Sequence, residues 1–340
     1  MAATTFDTFG CNVANGQPAT PDLVAANVTF NRRGFDIIHK LMPDGVNLEF
    51  WSLRDANAGT TPAATIRLRQ NQIAHTVMGP TSGGTHTIHH HGIEPTPMND
   101  GVGHTSFEVS GTYTYQWRPA YAGTYFYHCH KNTTLHFENG MYGPLIVDPA
   151  SGLKRVYDPA AGDTNSVDTT YDVEAIWAVD DVDPVFHNGI AHDAGLCGQD
   201  AGLNNFRPLY FMINGVGHPT TLTDSRAVVN MTRNQRLLIR LINASYSVVY
   251  TTITGLNATI VGIDGRALRT NAALGDFSSP IALSAGTPLI STSAQRYDLL
   301  IVPTVAGTYT VQHEFRQWIT GTRDTRAGGP GIAQTVIRVT

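Results

Sequence analysis

The sequence predicts an all-β protein built from two tandem Greek-key sandwiches or barrels, and three observations carry that reading. Short β-branched and aromatic runs bounded by Gly, Pro, Asn or Asp recur along most of the chain. Amphipathic helical periodicity is scarce, which argues against strands alternating with helices. A strand motif also occurs twice: Ala122-Gly123-Thr124-Tyr125 in the first half is echoed by Ala306-Gly307-Thr308-Tyr309 in the second. The 340 residues amount to roughly two domains of chain.

Taken in order, the predicted strands of the first half are Ala64 to Arg69, Tyr113 to Trp117, Tyr125 to Tyr127 and Leu145 to Val147. Those of the second half are Val173 to Trp177, Tyr210 to Ile213, Leu237 to Ile242, Thr259 to Ile263, Tyr297 to Val302 and a last one near Thr335 to Val339. Between the halves, Asp148 to Asp172 holds clusters of Pro, Ala, Gly and Asp without a sustained apolar pattern, so it reads as a linker. The expected domains are residues 1–160 and 161–340.

Composition excludes several classes. Charged residues make up only 14% of the chain against a typical ~25%, with 41% hydrophobic, which is neither coiled coil nor charge-rich disorder. A net charge of -5, with lysine only at Lys40, Lys131 and Lys154, offers no basic face for nucleic acid. No apolar run is long enough to span a membrane, and no signal-peptide pattern opens the chain, which reads as either mature or leaderless; a periplasmic or secreted mature form is the expectation.

Histidine is the unusual residue, with 14 copies, and many of them cluster. The first half contains His86-Thr87-Ile88-His89-His90-His91-Gly92 and His128-Cys129-His130, followed by His136 and Met141. Residues two apart on a strand share a face. His89 and His91 therefore project together, as do His128 and His130, while Cys129 faces the other way. Cys129, His136 and Met141 supply a thiolate, an imidazole and a thioether, and His86 completes a two-His, one-Cys, axial-Met set that selects copper for electron transfer. Tyr125, Phe126, Phe137 and Tyr142 could keep such a site dry. His39, His75 and His104 stand alone and read as ordinary surface or core residues. His187, His192 and His218 fall in Gly/Asp/Pro-rich loops and read as surface residues.

The pattern His-x-x-His-x-His-Gly followed by His-Cys-His-x5-His-x4-Met resembles the cupredoxin domains of multicopper oxidases, laccases among them, and more distantly copper nitrite reductases. The resemblance implies a cupredoxin-like fold for both domains, with a type 1 copper held by His86, Cys129, His136 and Met141. It further implies that His89, His91, His128 and His130 are one domain's share of a type 2/type 3 copper cluster. Cys129 would then link the two centres as the electron path. Leu238 to Ala244 and Gln295 to Leu300 are similar to second-domain segments of these enzymes.

The second half departs from the oxidase pattern. A full cluster in that family takes four histidines from each of two domains, yet here Thr252-Ile253-Thr254 stands where a His-x-His is expected and only His313 remains near the other motif. Copper nitrite reductases place a single type 2 copper between subunits of a trimer, with one histidine from a neighbour in the Gly-Thr-Tyr context of His313. The expectation is thus a homotrimer in which His313 of one chain joins His91 and His128 of another. The implied activity is one-electron oxidation of a small reducing substrate or redox protein, coupled to reduction of dioxygen. Nitrite reduction, or a non-catalytic role in electron transfer or copper tolerance, is the alternative. Asp100 is the expected proton donor, although Asn99-Asp100-Gly101 also reads as a plain tight turn. Cys11 and Cys197 could form a disulfide or be unrelated thiols.

Overall fold

A computed structural model describes residues 22–80, 84–103, 106–190 and 205–340; Cys11, His104, His192 and Cys197 lie outside the described residues. In the first half, β1 (Val28–Leu41), β2 (Asn47–Arg54), β3 (Ile66–Arg69), β4 (Ala74–Gly79), β5 (His89–His91), β6 (Tyr113–Trp117), β7 (Gly123–His128) and β8 (Tyr142–Asp148) form two four-stranded sheets. Their orders are β2-β1-β4-β6 and β3-β8-β7-β5. β1 pairs in parallel with β4 and β3 with β8, the crossed connections of a Greek key. Leu53, Met78, Tyr115 and Trp117 from one sheet meet Ile66, Tyr127, Leu145 and Val147 from the other in a single core.

The second half repeats the plan. β9 (Val173–Val182) joins Tyr210–Ile213, Leu237–Asn243, Arg296–Ile301 and Ala258–Ile263 in one sheet, and Val229–Met231, Ile332–Val339, Gly307–Arg316, Val248–Ile253 and Leu289–Ser291 form the other. Trp177, Phe211, Ile239 and Leu241 from the first of these sheets pack on Val249 and Phe315 from the second to fill its core. The architecture is two tandem cupredoxin-like domains, and both copies of the repeated Ala-Gly-Thr-Tyr motif lead into strands, β7 and Gly307–Arg316. The predicted strands are present with small shifts of their ends. The long hairpin β1–β2 is not among them, because its arginines, aspartate and asparagine interrupt the apolar alternation. From Asp148 to Val173 the chain forms no extended strand, and it packs Val156, Tyr157 and Tyr171 on Ala122, Leu238 and Val261.

β7 is the hinge of the architecture, since every one of its residues is buried. Tyr127 points into the first core, whereas Phe126 packs on Ala178, Ile242 and Ala244 of the second domain. Gly123 lies so near Gly265 that a Cβ on Gly123 would come within 2.8 Å of the Gly265 Cα, and one on Gly265 would meet the Tyr125 ring at 2.2 Å. Two glycines are what allow the backbones to approach this closely.

The same strand is tied across the interface by a buried polar network. Thr124 Oγ1 donates to Asp298 Oδ1 (2.5 Å), and the fully buried Arg240 donates to Thr124 Oγ1 (3.1 Å), Asp298 Oδ1 (3.3 Å) and Glu174 Oε1 (2.6 Å). Arg67 reaches Glu174 from the first domain at 2.6 Å. Removing one member of a buried ion network leaves the others charged and unpaired, at a cost of about 3–5 kcal/mol. Arg240→Ala should therefore lower the unfolding free energy by about that amount in urea denaturation, and a change below about 1 kcal/mol would show that the network contributes little.

Candidate metal centres

The structure gathers two groups of possible metal ligands in the first domain, on opposite sides of the chain that follows β7. In the first, His86, Cys129 and His136 bring their ligand atoms within 4.8 Å of one another. Cys129 Sγ lies 3.1 Å from His136 Nδ1 and 3.8 Å from His86 Nδ1, and all three residues are buried. His86 is held by the isolated bridge to Val109. His136 comes from a six-residue helix, Thr133–Glu138, whose apolar positions are too few for a helical period to show in the sequence. Met141 is brought alongside by the backbone: its N–H donates to His136 O (2.9 Å) and its carbonyl accepts from Cys129 N (3.0 Å), with the side chain fully buried.

Burial sets the proton state of this group. It pushes the Cys129 thiol up to about 11 and holds the His136 imidazole well below its usual range. Without a bound cation burial thus favours the neutral forms of Cys129 and His136, and a metal that binds through Cys129 must displace the thiol proton. The donor chemistry fits copper: one soft sulfur, two imidazole nitrogens and a thioether in a dry enclosure. Two residues that sequence reasoning passed over shape it. Thr87 donates its N–H to the Cys129 sulfur (3.4 Å), and Trp51 sets its ring edge-on to His136 at 5.6 Å. Thr87 stands in view within the histidine motif; Trp51 gives no signal, because β2 is far from the motif in sequence.

The second group joins His89, His91 and His128, whose ligand atoms also lie within 4.8 Å of one another, with the His130 ring 5.3 Å from that of His89. β5 pairs with β7 so that His89 lies opposite His128. Strand parity separates the neighbours: His90, between His89 and His91, turns into the core and meets Thr76 Oγ1 at 2.9 Å. His89 Nδ1 donates to the Asp100 carbonyl (2.8 Å) and His128 Nδ1 to the Cys129 carbonyl (3.0 Å). A carbonyl only accepts, so each bond fixes the tautomer that leaves Nε2 with its lone pair, the arrangement typical of metal-binding histidines. Burial, reinforced by the nearby charges of Arg296, His89 and His130, lowers His91 to about 3, and burial holds His128 well below its usual range. Arg296, from the second domain, lies over the Phe126 ring at 5.7 Å, and Phe126 stacks on His91.

Asp100 reaches this second group. Its carboxylate Oδ1 lies 3.2 Å from His89 Nδ1, and it ends the helical turn Pro97–Asp100. The turn and the approach to the histidines are therefore realised together. Gly101 is required there, because a Cβ would fall 2.0 Å from the Ile88 carbonyl oxygen.

His313 is not brought to either group, which corrects the expectation that a neighbouring chain could take it as a ligand. It is fully enclosed in the second domain, with Nδ1 bonded to Thr251 Oγ1 (2.8 Å) and the ring edge-on to Trp177. Strand alternation explains this: Val311, His313 and Phe315 all face the core. His187 is likewise buried rather than on the surface, and its Nε2 bonds to the Glu49 carbonyl (2.5 Å).

Residues 55–152 match the family model described as multicopper oxidase. The chain is 30% identical over 118 residues to the copper-containing nitrite reductase of Neisseria meningitidis, covering 34% of this chain and 29% of that protein. It is 32% identical over 172 residues to a laccase of Neurospora crassa, covering 48% and 24%. The matches thus span under a third of these two relatives. The fold is similar to that of the blue copper oxidase from Nitrosomonas europaea, with a TM-score of 0.69 at 22% identity over 92% of this chain and 86% of that one.

Burial lowers His313 to about 3. The folded protein keeps it neutral, whereas the unfolded chain takes up a proton below about 6.5. Its contribution to stability is then fully present above about pH 6.5 and is lost as pH falls toward 3. In His313→Gln the unfolding free energy should fall less steeply over that window while bound copper per chain is unchanged; loss of one copper would restore His313 as a ligand.

Proposed function

We propose that this chain, whose residues 55–152 match the multicopper oxidase family, is a copper-dependent oxidoreductase that oxidises a reducing substrate one electron at a time and passes the electrons to dioxygen. Residues 1–160 would form the domain carrying both copper-binding groups and residues 161–340 the ligand-poor second domain. The observation that carries the reading is the placement of a two-His, one-Cys group and a four-imidazole group on opposite sides of the three consecutive residues His128, Cys129 and His130.

His86, Cys129, His136 and Met141 would hold a type 1 copper, and His89, His91, His128 and His130 would hold the type 2 or type 3 centre. Copper in these places supplies one-electron transfer at the first and binding of the electron acceptor at the second. The chain's own residues do the rest. Thr87 places an N–H dipole on the Cys129 sulfur, which stabilises negative charge there. Tyr125, Met141 and Tyr142, all buried, exclude water from the neighbourhood. Asp100 is part-exposed and bonded to His89, so its carboxylate can take protons from solvent and release them beside the acceptor. Reducing one dioxygen to two waters consumes four electrons and four protons, which makes such a donor useful.

His89 and His91 are only half-buried. We infer that a second copy of the chain covers this face, with a closed homotrimer as the expected assembly. Nitrite is the competing acceptor, favoured by the similarity to copper-containing nitrite reductases.

Atomic spectroscopy on copper-loaded protein should find at least two coppers per chain; one would remove the second centre. Cys129→Ser should lose the intense visible absorption while keeping the copper bound by the four histidines. Steady-state assays should show dioxygen consumption exceeding nitrite consumption, and no turnover with either acceptor would leave an electron carrier. Asp100→Asn should reduce turnover by about 10²-fold and shift the pH profile, whereas an unchanged profile would leave Asp100 a turn former only.

A further inference from the structure

We propose that Thr85, Glu108 and Lys131 are positioning residues for the sulfur-bearing group, a side-chain knot that holds His86 against Cys129 and keeps a balanced pair of charges beside them. This deepens the copper reading above and rests on it. Lys131 Nζ donates to Thr85 Oγ1 (2.8 Å), the Thr85 hydroxyl donates to Glu108 Oε2, and Lys131 Nζ closes the ring at 3.6 Å from the same carboxylate oxygen.

Each member of the knot adjoins a residue that shapes the group. Thr85 precedes His86, Glu108 precedes Val109, and Lys131 lies two residues after Cys129. The sheet pairing of His86 is an isolated bridge, in which His86 N–H donates to Val109 O (3.1 Å) and Val109 N–H to His86 O (2.9 Å). An isolated bridge fixes one point of a segment, and side chains must fix its neighbours. The antiparallel bridge sets Glu108 diagonal to Thr85, and the knot ties that diagonal to the segment carrying Cys129. Glu108 also borders Thr87: a Cβ on Gly103 would lie 3.0 Å from Glu108 Cγ and 3.6 Å from Thr87 Cγ2. Thr87 is the residue whose N–H donates to the Cys129 sulfur, and its hydroxyl accepts from His130 N–H at 2.8 Å. The knot therefore joins the same segments that bring His86 and Cys129 together.

The two charges are shielded as well as paired. The side chains of Lys131 and Glu108 are 23% and 13% exposed, so water and salt screen them less than a surface pair. Both are felt inside the group: Glu108 disfavours negative charge on Cys129, and Lys131 disfavours positive charge on His136. A lone carboxylate in this place would favour the oxidised, more positive state of a copper held there, and a lone ammonium the reduced state. Held together, they oppose each other and leave the potential to the ligand atoms. Removing either one therefore has a sign that depends on which charge remains, whereas loosening of the packing alone has no such dependence.

Spectroelectrochemical titration of the copper-loaded protein reads this sign. Glu108→Gln should raise the reduction potential and Lys131→Gln should lower it; the double variant should return close to the unaltered value, and Lys131→Arg should hold it. In copper-free protein, hydrogen exchange of the Thr87 amide should be at least tenfold faster in Thr85→Val and restored in Thr85→Ser, while that of Leu241, in the core of the second domain, is unchanged. Potential shifts of one sign in both single variants, or an unchanged Thr87 rate, overturn the assignment. If the unaltered protein gains no intense visible absorption with copper(II), the copper reading has failed, and the Thr87 exchange rate then decides the knot by itself.

Discussion

The strict alternation of side chains around β7 is the constraint on which the rest of the structure depends. His128 and His130 lie on one side of the backbone and Cys129 on the other, which gives two groups of candidate ligands that are separate in space but joined through one residue. Insertion of a single residue between β7 and His130 would reverse the alternation and scatter both groups. The fold protects that register from each side. β7 is hydrogen-bonded between β5 and β8, its inner face packs into the first core, and its outer face packs on the second domain.

Burial of this strand has an electrostatic consequence. The imidazoles of His91, His128 and His136 and the thiol of Cys129 are all driven toward their neutral forms by desolvation. Clustering them would be costly if they were charged, so the apo fold tolerates them only because they shed or retain protons as needed. A cation held by Cys129 would enter a group that is already assembled, displacing a proton from one sulfur rather than rearranging the backbone. The neighbouring charges are placed with the same economy: Arg296 is paired with Asp264 at 2.9 Å, and Arg240 with Glu174 and Asp298, so both of these guanidiniums at the domain interface face a carboxylate.

The fold class and most members of both side-chain clusters were legible in the sequence because they rest on local periodicity. Strands with period 2 announce themselves, and so does a histidine pair spaced to share a strand face. Long-range placement was not legible. The ring of Trp51 against His136, the N–H of Thr87 on the sulfur and the arrival of Arg296 behind His91 all depend on which strands become neighbours. The helix bearing His136 escaped because six residues are too few to show a helical period. His313 misled for a different reason: its Gly-Thr-Tyr context marks a strand correctly, but the parity of that strand, with Val311 and Phe315 also inward, turns the imidazole into the core.

That inward histidine changes what the second domain is for. A domain whose ligand positions read Thr252, Thr254 and a core-bound His313 contributes shape and charge instead of donor atoms from these strands. It buries the outer face of β7, clamps Thr124 through Asp298 and Arg240, and delivers Arg296 to the back of His91. It also supplies Tyr246, whose O–H donates to the Thr134 carbonyl on the helix of His136. Arg296 lies on the side of the four-imidazole group, and Tyr246 on the side of the helix that carries His136. The two domains are therefore distinguished by physics: the first gathers the candidate ligand atoms through strand parity, and the second seals the outer face of β7 and sets charges beside it.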